Sequence, residues 1–435
     1  KPQFIDALNA LGNVTRLQGQ PSDAEAYYRR VLAIDAETAP VWINLALCLH
    51  DSGRHQDAVD ALQRALQLKP HDSDALVNLA MVRNDLGQST EAQALLCRAL
   101  ELDPNLAEAH IELAQILLRR GEFVAGWSEY DWRLRREKWE HQPKVSCPVW
   151  QGEDLNGKTL LVTAEQGLGD QIMFASCLPE VVHAAGHCIV ESHSRLTALF
   201  QRSFPEVSSS PRRFKDSVPV HEGRLSPNFK IAIGSLPSLL RRRELDFPRH
   251  AGYLRADPAR VEYWRERLRA RGSGLHIGIS WRGGTTRTRR TARSIELVHW
   301  LPLLRQTGAQ FVSLQYGDAT RAELASLARD HAVYVDHWHE AIDDYDETAA
   351  LVSALDLVIS VQTAAVHLAG ALGKPAWVMV PAVPEWRYLQ SGATMPWYPS
   401  VRLFRQTHAD DWAPVIAAVN AELAKSRHAS TCSSE

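Results

Sequence analysis

Apolar and small residues recur along the first third of the chain with a period of 34 residues. Four leucines keep this spacing, and each is followed by a small residue: Leu11, Leu45, Leu79 and Leu113. Four glycines keep the same spacing: Gly19, Gly53, Gly87 and Gly121. Such a period is typical of stacked helical pairs, in which small residues let two helices pack closely and a glycine turns the chain between them. The pattern therefore predicts an α-solenoid of four units over residues 1–140.

The pattern changes after Lys158 to short β-branched runs separated by helical stretches. Buried strands are predicted for these runs: 159–164, 188–191, 230–233, 276–280, 311–315, 333–335, 357–360 and 376–380. Strands that alternate with helices predict parallel sheets with helices on both faces. The fold class expected for the whole chain is therefore α + α/β, a repeat solenoid followed by two Rossmann-like lobes that face a cleft.

An arginine-rich helical stretch separates the two series of strands and is predicted to be a linker. The expected domains are a repeat array, a first lobe with its entry linker, a linker helix, a second lobe and a disordered tail: 1–140, 141–257, 258–273, 274–425 and 426–435. In sheets of this kind the ligand site lies at the carboxyl ends of the strands. The turns that follow the strands are therefore the places to look for chemistry.

Composition and charge narrow the classes of protein that remain. The chain has 435 residues, of which 45% are hydrophobic and 23% charged, the balance of a globular protein with a substantial core. Its net charge of -3 gives no general basic field, so no nucleic-acid partner is expected. It contains no apolar run of about 18 residues and no leader pattern, so neither a membrane span nor a signal peptide is expected. The six scattered cysteines form no CxxC pair, which favours a cytoplasmic location.

The turn after the first predicted strand carries an acidic residue between glycines and a helix. Gly167 and Gly169 allow the backbone to approach a ligand, and Asp170 lies near the start of the helix that follows. Asp170 is expected either to cap this helix or to act as a general base that accepts a proton from an attacking hydroxyl. Gln166 and Gln171 flank it and are expected to line the acceptor side of the cleft.

A second turn, late in the chain, is predicted to bind a phosphate. Small residues follow the strand at 357–360, and a helix start exposes free N–H groups that attract anions. Thr363 adds a hydroxyl donor, and Gln362 and Ala364 stand beside it. His367 shares this helical face and is a candidate to bind the donor, although a packed core histidine is the simpler interpretation.

Between these turns, five arginines occur within twelve residues of a glycine-containing segment. Arg282 and Arg293 flank the run beside apolar positions and are the candidates for a clamp on a diphosphate. A solvated basic loop is the favoured interpretation for the other three: Arg287, Arg289 and Arg290.

Three other motifs are rejected as functional signals. Asp344 and Asp346 have the DxD form of a metal and nucleotide-sugar site, but helix capping explains them more simply. The segment 336–340 has metal-ligand spacing without a partner cluster, so no metal site is predicted. The first turn lacks the GxGxxG and distant acid of a dinucleotide enzyme.

Two family resemblances follow from these motifs. The repeats resemble the tetratricopeptide family over four units, from about residue 5 to 138. Residues from about 145 to 420 resemble bacterial GT-B glycosyltransferases of the heptosyltransferase-like type, and the combination resembles tetratricopeptide-repeat transferases, some of which modify flagellin or other proteins. The segments that carry the second resemblance are AEQGLGDQIMFASCLPEV, GISWRGG, RSIELVHWLPLL, FVSLQYGD, DLVISVQTAAVHLAGALGKPAWVMVP, EWRYL and PWYPSVRLFRQ.

The resemblance implies roles for individual residues. Asp170 falls on the catalytic base, Thr363 and the backbone after it on the helix start that binds the donor phosphates, and Arg293 near a residue that neutralises the leaving diphosphate. The family has an aspartate where this chain has Gln362, and this departure argues against heptose as the sugar.

The function implied is an inverting, metal-independent transfer from a nucleotide sugar to a hydroxyl, without a cofactor. The donor is UDP-, GDP-, ADP- or CMP-linked, and the acceptor is a serine or threonine of a protein that the repeats present. Gln315 and Tyr316 are expected to contact the base or ribose, while Trp386 and Arg387 are expected to line the cleft. In the repeat groove, Asn44 and Asn78 occupy matching positions and are expected to hold a peptide backbone.

Two alternatives stay open at this point. The first is a repeat scaffold whose degenerate transferase domain binds a nucleotide or a partner without turnover. The second is a lipopolysaccharide-core transferase that acts at a membrane surface.

Overall fold

A computed structural model describes residues 2–136, 146–211, 226–284 and 289–432. The chain divides into two compact units, Lys1–Trp139 and Glu140–Glu435. The helices of the first unit are α1 Pro2–Leu17, α2 Pro21–Ile34, α3 Ala39–Asp51, α4 His55–Leu68, α5 Ser73–Asp85, α6 Ser89–Leu102, α7 Ala107–Arg119 and α8 Phe123–Tyr130, followed by a 3-10 helix, Asp131–Arg135.

The glycine period marks the turn inside each helical pair. All four glycines have a left-handed backbone, with φ of +78°, +77°, +80° and +80°: Gly19, Gly53, Gly87 and Gly121. A side chain at Gly19 or Gly53 would meet no neighbouring atom, so the turn requires glycine for its backbone conformation rather than for space. The predicted succession of helical pairs is therefore confirmed.

Polar pairs separated by 35 residues connect the first helices of successive pairs. Arg16 donates to Asp51 at 2.9 Å, and His50 lies 2.8 Å from Asp85. Arg119 donates to the Asn84 side chain in the next step along the array. Each step uses the same two repeat positions, so the period orders side chains as well as helices.

The second unit is mixed α/β. Its strands are β1 Thr159–Thr163, β2 His187–Ser192, β3 Val207–Pro211, β4 Phe229–Ala232, β5 Leu275–Ser280, β6 Ala309–Ser313, β7 Leu357–Ser360, β8 Ala376–Val380, β9 Thr394–Met395 and β10 Tyr398–Arg405. Its helices are α9 Leu168–Phe174, α10 Leu178–Ala184, α11 Thr197–Ser203, α12 Leu236–Leu240, α13 Pro258–Arg269, α14 Leu301–Leu304, α15 Ala319–His331, α16 His339–Asp343, α17 Tyr345–Ala354, α18 Ala364–Ala371 and α19 Ala413–Cys432.

The strands form two sheets, as the alternating pattern predicts. A four-stranded parallel sheet has the order β3-β2-β1-β4. A six-stranded sheet has the order β6-β5-β7-β8-β10-β9, and only its β9–β10 pair is antiparallel. Every residue of β1 and β7 is buried, which explains why the middle of each strand is apolar on both faces.

Two expectations about this unit, a strand and the tail, are corrected, whereas the helix expected between the two series of strands is present. The segment 333–335 is not a strand, because only one bridge, between Val312 and Asp336, joins its end to β6. The predicted linker helix is α13, which packs against α17: Trp264 donates to Glu347 at 2.8 Å. The last helix continues to Cys432, so residues 426–432 of the predicted disordered tail are helical.

Among the described residues, no helix is long and apolar enough to cross a membrane. The cytoplasmic location inferred from the cysteines stays a prediction.

Candidate functional site

The candidate site lies where the central strands of the two sheets end. In the first sheet, β1 has β2 on one side and β4 on the other, and in the second sheet β5 lies between β6 and β7. The crevice at such a reversal of strand order is the usual ligand site of open parallel sheets. The turns after β1, β5 and β7 border these two positions.

The turn after β1 presents Asp170 at the start of α9. Gln166 has a left-handed backbone with φ of +59°, which turns the chain sharply between strand and helix. The Asp170 carboxylate accepts a 3.4 Å hydrogen bond from the N–H of Gly167, so the capping interpretation holds in part. Its side chain is still 20% exposed, which leaves the carboxylate within reach of a substrate.

Asp170 forms an ion pair with Arg387, which lies on the 3-10 helix Trp386–Tyr388 after β8. The second nitrogen of Arg387 lies 3.3 Å from Glu385, and Glu385 lies 3.4 Å from Arg293. These four side chains form a row of alternating charges, here named the charge chain: Asp170, Arg387, Glu385 and Arg293. The charge chain carries two negative and two positive groups and joins the first sheet's turn to the second lobe.

Electrostatics favours the ionised form of Asp170. Burial by itself raises the pKa of this carboxyl, but the positive charge and hydrogen bond of Arg387 outweigh it and hold the pKa below its usual value. His367 is buried close by, and burial together with Arg387 lowers its pKa to about 3. The histidine is therefore neutral at physiological pH, while Asp170 is charged.

Arg293 connects the charge chain to the start of α18. Its guanidinium donates a 2.6 Å hydrogen bond to the carbonyl of Gln362, in the turn between β7 and α18. A side chain at Gly283 would lie 2.6 Å from the same carbonyl, so only glycine allows the loop after β5 to approach this turn. The predicted diphosphate clamp residue Arg293 thus lies beside the predicted phosphate-binding turn.

The side chain of Gln362 is fully buried, and both polar atoms of its amide are without a hydrogen-bond partner among the described residues. Buried amides are nearly always bonded, because an unsatisfied one costs about 1–3 kcal/mol. Thr363 does not cap α18 with its side chain, which instead lies 2.9 Å from the Ser360 hydroxyl. The start of α18 therefore combines uncapped N–H groups with an unsatisfied amide.

Helices α9 and α18 approach each other closely at their first turns. A side chain at Gly169 would lie 3.1 Å from Cδ2 of His367 and 3.4 Å from Cα of Ala364. His367 is packed in this contact, with Nδ1 3.2 Å from the Tyr398 hydroxyl. The close approach favours glycine in the first turn of α9, and His367 has the packed role that the simpler interpretation gave it.

Two residues predicted to bind the donor instead hold the loop after β5. Arg282 donates to the Thr320 hydroxyl at 2.9 Å and lies 3.3 Å from Glu323. Gln315 is buried, and its Oε1 accepts hydrogen bonds from the N–H groups of Trp281 and Arg282 at 3.0 and 2.9 Å. Both side chains therefore have structural roles, and their contacts with a donor stay a prediction. Tyr316, in contrast, is 59% exposed just beyond the end of β6.

Two predicted acceptor-side residues are likewise structural. Gln171 is buried and accepts a 2.8 Å hydrogen bond from the N–H of His193, after β2. Trp386 is buried and packs against the rings of Phe174 and Trp397. Gln166, in contrast, lies on the turn, with its amide 3.5 Å from Glu165.

Two residues of the site were missed by sequence reasoning. Glu385 contacts both arginines of the charge chain. It is the first residue of the EWRYL motif, in which only Trp386 and Arg387 were considered as site residues. Arg405 donates to the carbonyls of four residues in the loop after Arg387: Tyr388, Leu389, Ser391 and Gly392. The only sign of this role of Arg405 in the sequence is its position at the end of a largely apolar strand.

Asp344, in the rejected DxD motif, has the capping role expected of it. Asp344 caps α17 by accepting from the N–H of Asp346 at 2.8 Å, and Asp346 forms a two-bond ion pair with Arg202, each bond 2.7 Å long. Within the described ranges, no group of three or more histidine, cysteine or acidic side chains is arranged to hold a metal ion. Arg287 lies outside the described residues, whereas Arg289 donates to the carbonyl of Val383 at 3.0 Å.

The two asparagines predicted for the repeat groove differ in their surroundings. The Asn44 side chain donates to Asn9 at 3.0 Å and so takes part in the contact between successive helical pairs. Asn78 occupies the equivalent position on α5 and is half-buried. Asn78 is thus the better candidate for a contact with a bound segment.

Comparison with known proteins identifies the first unit. Residues 4–37 and 37–105 match models of the tetratricopeptide repeat. These residues are tetratricopeptide repeats. The pair α7 and α8 continues the same glycine period beyond the matched residues.

The chain is also similar to a longer protein. It is 36% identical over 325 residues to Protein FlbA of Caulobacter vibrioides, a match that covers 70% of this chain and 53% of that protein. The chain thus spans about half the length of this relative. Because the first unit ends at Trp139, a match of this extent reaches into the α/β unit.

Similar solved structures cover about a third of the chain. MamA is 22% identical, with a TM-score of 0.28, over 32% of this chain and 81% of that chain. YrrB is 21% identical, with a TM-score of 0.26, over 30% and 68%. The first repeat domain of Spaghetti (RPAP3), bound to an HSP90 peptide, is 26% identical, with a TM-score of 0.26, over 27% and 92%.

Proposed function

We propose that the protein is an inverting, metal-independent glycosyltransferase of the GT-B type, which moves a sugar from a nucleotide sugar to a serine or threonine hydroxyl of a protein. The observation that carries the proposal is the meeting of Asp170, the arginines of the charge chain and the start of α18 at the carboxyl ends of β1 and β7. A base, cations and a helix start are the groups that such a transfer needs.

In this reaction Asp170 is the general base. The acceptor hydroxyl gives its proton to the Asp170 carboxylate while its oxygen bonds to the anomeric carbon of the donor. The bond from that carbon to the phosphate oxygen breaks, and the nucleotide leaves with the electron pair. A single displacement of this kind inverts the anomeric centre.

The departing phosphate is stabilised by the second lobe. The N–H groups at the start of α18 and the guanidinium of Arg293 supply positive potential where negative charge develops. Arginine binds phosphate oxygens with two parallel donors, which gives orientation as well as charge. These groups provide the charge stabilisation that a divalent metal gives in other transferases.

Donor recognition is assigned to two further residues. The buried amide of Gln362 offers both a donor and an acceptor, which matches a sugar hydroxyl better than a phosphate. Tyr316 has an exposed ring at the carboxyl end of β6, where a nucleobase can stack. The family's aspartate, when ionised, only accepts hydrogen bonds, whereas the amide of Gln362 also donates them. We therefore expect the sugar bound beside Gln362 to differ from heptose.

The repeats supply the acceptor in this proposal. Arrays of this family form an extended concave surface that binds peptide segments. Presentation of a polypeptide explains why an array precedes the α/β unit, and Asn78 is the side chain assigned to hold the peptide backbone.

The first experiment is a thermal-shift screen of the full chain with UDP, GDP, ADP, CMP and their sugars. Ligands that bind only the native state raise the melting temperature according to affinity and concentration. One nucleotide class is expected to raise it, and Asp170→Asn is expected to keep this shift while losing transfer. The absence of a shift with every nucleotide would contradict the proposal.

A further inference from the structure

We propose that Arg387 is a shared cation: it pairs with Asp170, and the diphosphate of the donor takes it over when it binds. The base is then released only after the donor has bound, so the reaction is ordered with the donor first. This inference rests on the proposed glycosyl transfer and adds an order of binding to it.

The contacts place Arg387 between two competing anions. One of its nitrogens pairs with Asp170, and the other lies 3.3 Å from Glu385. Glu385 also contacts Arg293, which donates to the carbonyl of Gln362 at the turn before α18. The carboxylate of Glu385 therefore lies between the Arg387 guanidinium and Arg293, and Arg293 contacts the turn that is predicted to bind phosphate.

The charge balance favours such an exchange. The charge chain is neutral as a whole, since its two carboxylates match its two guanidinium groups. A diphosphate beside Arg293 adds at least two negative charges. Because the charge chain is already neutral, it has no excess positive charge to balance them. Arg387 is the only other cation of the charge chain. If its guanidinium moves toward the diphosphate, it neutralises negative charge there, and Asp170 loses its ion-pair partner.

The backbone beneath Arg387 is fixed, so the exchange requires only side-chain rotation. Arg405 donates to four carbonyls of the segment that follows Arg387, at 2.6 Å to Gly392 and 3.0 Å to Leu389 among them. The side chain of Arg387 has several rotatable bonds and a broad planar donor group, which suits exchange between two anions.

Release changes the chemistry of Asp170. Besides the Arg387 guanidinium, the groups that face its carboxylate are neutral His367 and the N–H of Gly167. Without Arg387, burial dominates and the pKa of Asp170 rises, which makes it a stronger base. Asp170 is therefore a weak base while it is paired with Arg387 and a competent one once the pair has opened.

The test measures the affinity of the full chain for inorganic pyrophosphate by titration calorimetry in metal-free buffer. Because Asp170 competes for Arg387, Asp170→Asn is expected to bind pyrophosphate about tenfold more tightly than the wild type. Arg387→Gln is expected to bind about tenfold more weakly. In the Arg387→Gln background, Asp170→Asn is expected to change the affinity by less than about twofold, which a double-mutant cycle detects. Equal or weaker binding by Asp170→Asn would overturn the inference.

Two controls separate exchange from other effects. Asp346→Asn breaks the ion pair with Arg202, another contact between the two lobes, and is expected to leave pyrophosphate affinity unchanged. A gain of similar size in this variant would show general loosening and overturn the exchange. Arg387→Lys keeps the positive charge and is expected to retain the coupling with Asp170, which keeps the test valid if the glutamine variant does not fold.

The outcomes also distinguish this inference from the proposed function. Wild-type binding without coupling between Asp170 and Arg387 overturns the exchange and leaves the transferase proposal standing. If pyrophosphate binding shows coupling between Asp170 and Arg387 but the protein turns over no nucleotide sugar, the transferase proposal is contradicted and the exchange is supported. Lack of any pyrophosphate or nucleoside diphosphate binding by the wild type contradicts both.

Discussion

The carboxylate of Asp170 and the guanidinium of Arg387 form an ion pair across 217 residues of sequence. The pair joins the first turn of α9, after β1, to the 3-10 helix after β8. It brings a candidate base from one sheet into contact with cations of the other. The chemistry proposed for this protein depends on this contact.

The pair makes a prediction about acid stability. The pKa of Asp170 is held below the ordinary value of 3.8, so ionised Asp170 stabilises the native state above that pH, and this contribution is lost as the pH falls through the lowered pKa. Asp170→Asn lacks the contribution at every pH. The wild-type advantage in unfolding free energy over this variant should therefore be constant near neutrality and shrink below about pH 4. Urea unfolding at a series of pH values measures it. An advantage that grows on acidification would contradict the assignment.

Gly169 is predicted to be required by the contact between α9 and α18. Gly169→Ala places a methyl group 3.1 Å from His367, which forces the two helices apart and should cost about 1–3 kcal/mol. Gly167→Ala is the matched control, because its new methyl group would lie at an ordinary 3.6 Å from Asp170. Thermal unfolding and nucleotide affinity should both fall for the first variant and change little for the second. Equal behaviour of the two variants would show that the close approach is not needed.

Gln362 is predicted to be retained for ligand binding rather than for stability. Gln362→Leu removes an unsatisfied buried amide at similar volume, so the ligand-free protein should be as stable as the wild type or up to about 1 kcal/mol more stable. Its affinity for the nucleotide sugar should nevertheless fall by about tenfold, whereas its affinity for the bare nucleotide should change little. A clear loss of stability in the ligand-free variant would instead mean that the amide is bonded within the fold.

Arg405 is predicted to position Arg387 through the loop that it binds. Arg405→Leu leaves the carbonyls of this loop without their donor and should cost about 1–3 kcal/mol. Pyrophosphate affinity should fall with it, because Arg387 loses its fixed backbone. Arg402→Leu on the same strand breaks a surface pair with Glu422 and a contact with the Phe404 ring, and should cost about 0.5 kcal/mol without changing the affinity. If Arg405→Leu bound pyrophosphate with wild-type affinity, the loop would not be needed to position Arg387.

Local pattern was sufficient to predict the repeats and most of the sheets. The glycine period reports a backbone conformation that other residues adopt with difficulty, so it predicts the turns directly. Buried strands such as β1 and β7 are apolar on both faces in their middle. The segment 333–335 is equally rich in β-branched residues but pairs with β6 only at one bridge, and β10 lies in a proline-containing segment for which no strand was predicted.

The site was predictable only where chemistry follows a strand directly. Asp170 and Arg293 lie in turns whose place at the sheet edge follows from the topology. Gln315 follows β6 directly and Gln171 lies in the first helix after β1, but their amides are used to bond backbone N–H groups, which composition does not reveal. Glu385 could not be assigned, because its role depends on contacts with two arginines whose positions only the fold determines.

The central claim is tested most directly by incubating the full chain with each nucleotide sugar and measuring the nucleotide released, with and without serine- and threonine-containing acceptor peptides. The account predicts that one donor class is turned over, that peptides increase the rate, and that Asp170→Asn lowers it by about 10²–10⁴-fold while nucleotide binding persists. Release at the wild-type rate by Asp170→Asn would contradict the role of this residue. No release from any donor that the protein binds would contradict the transferase itself.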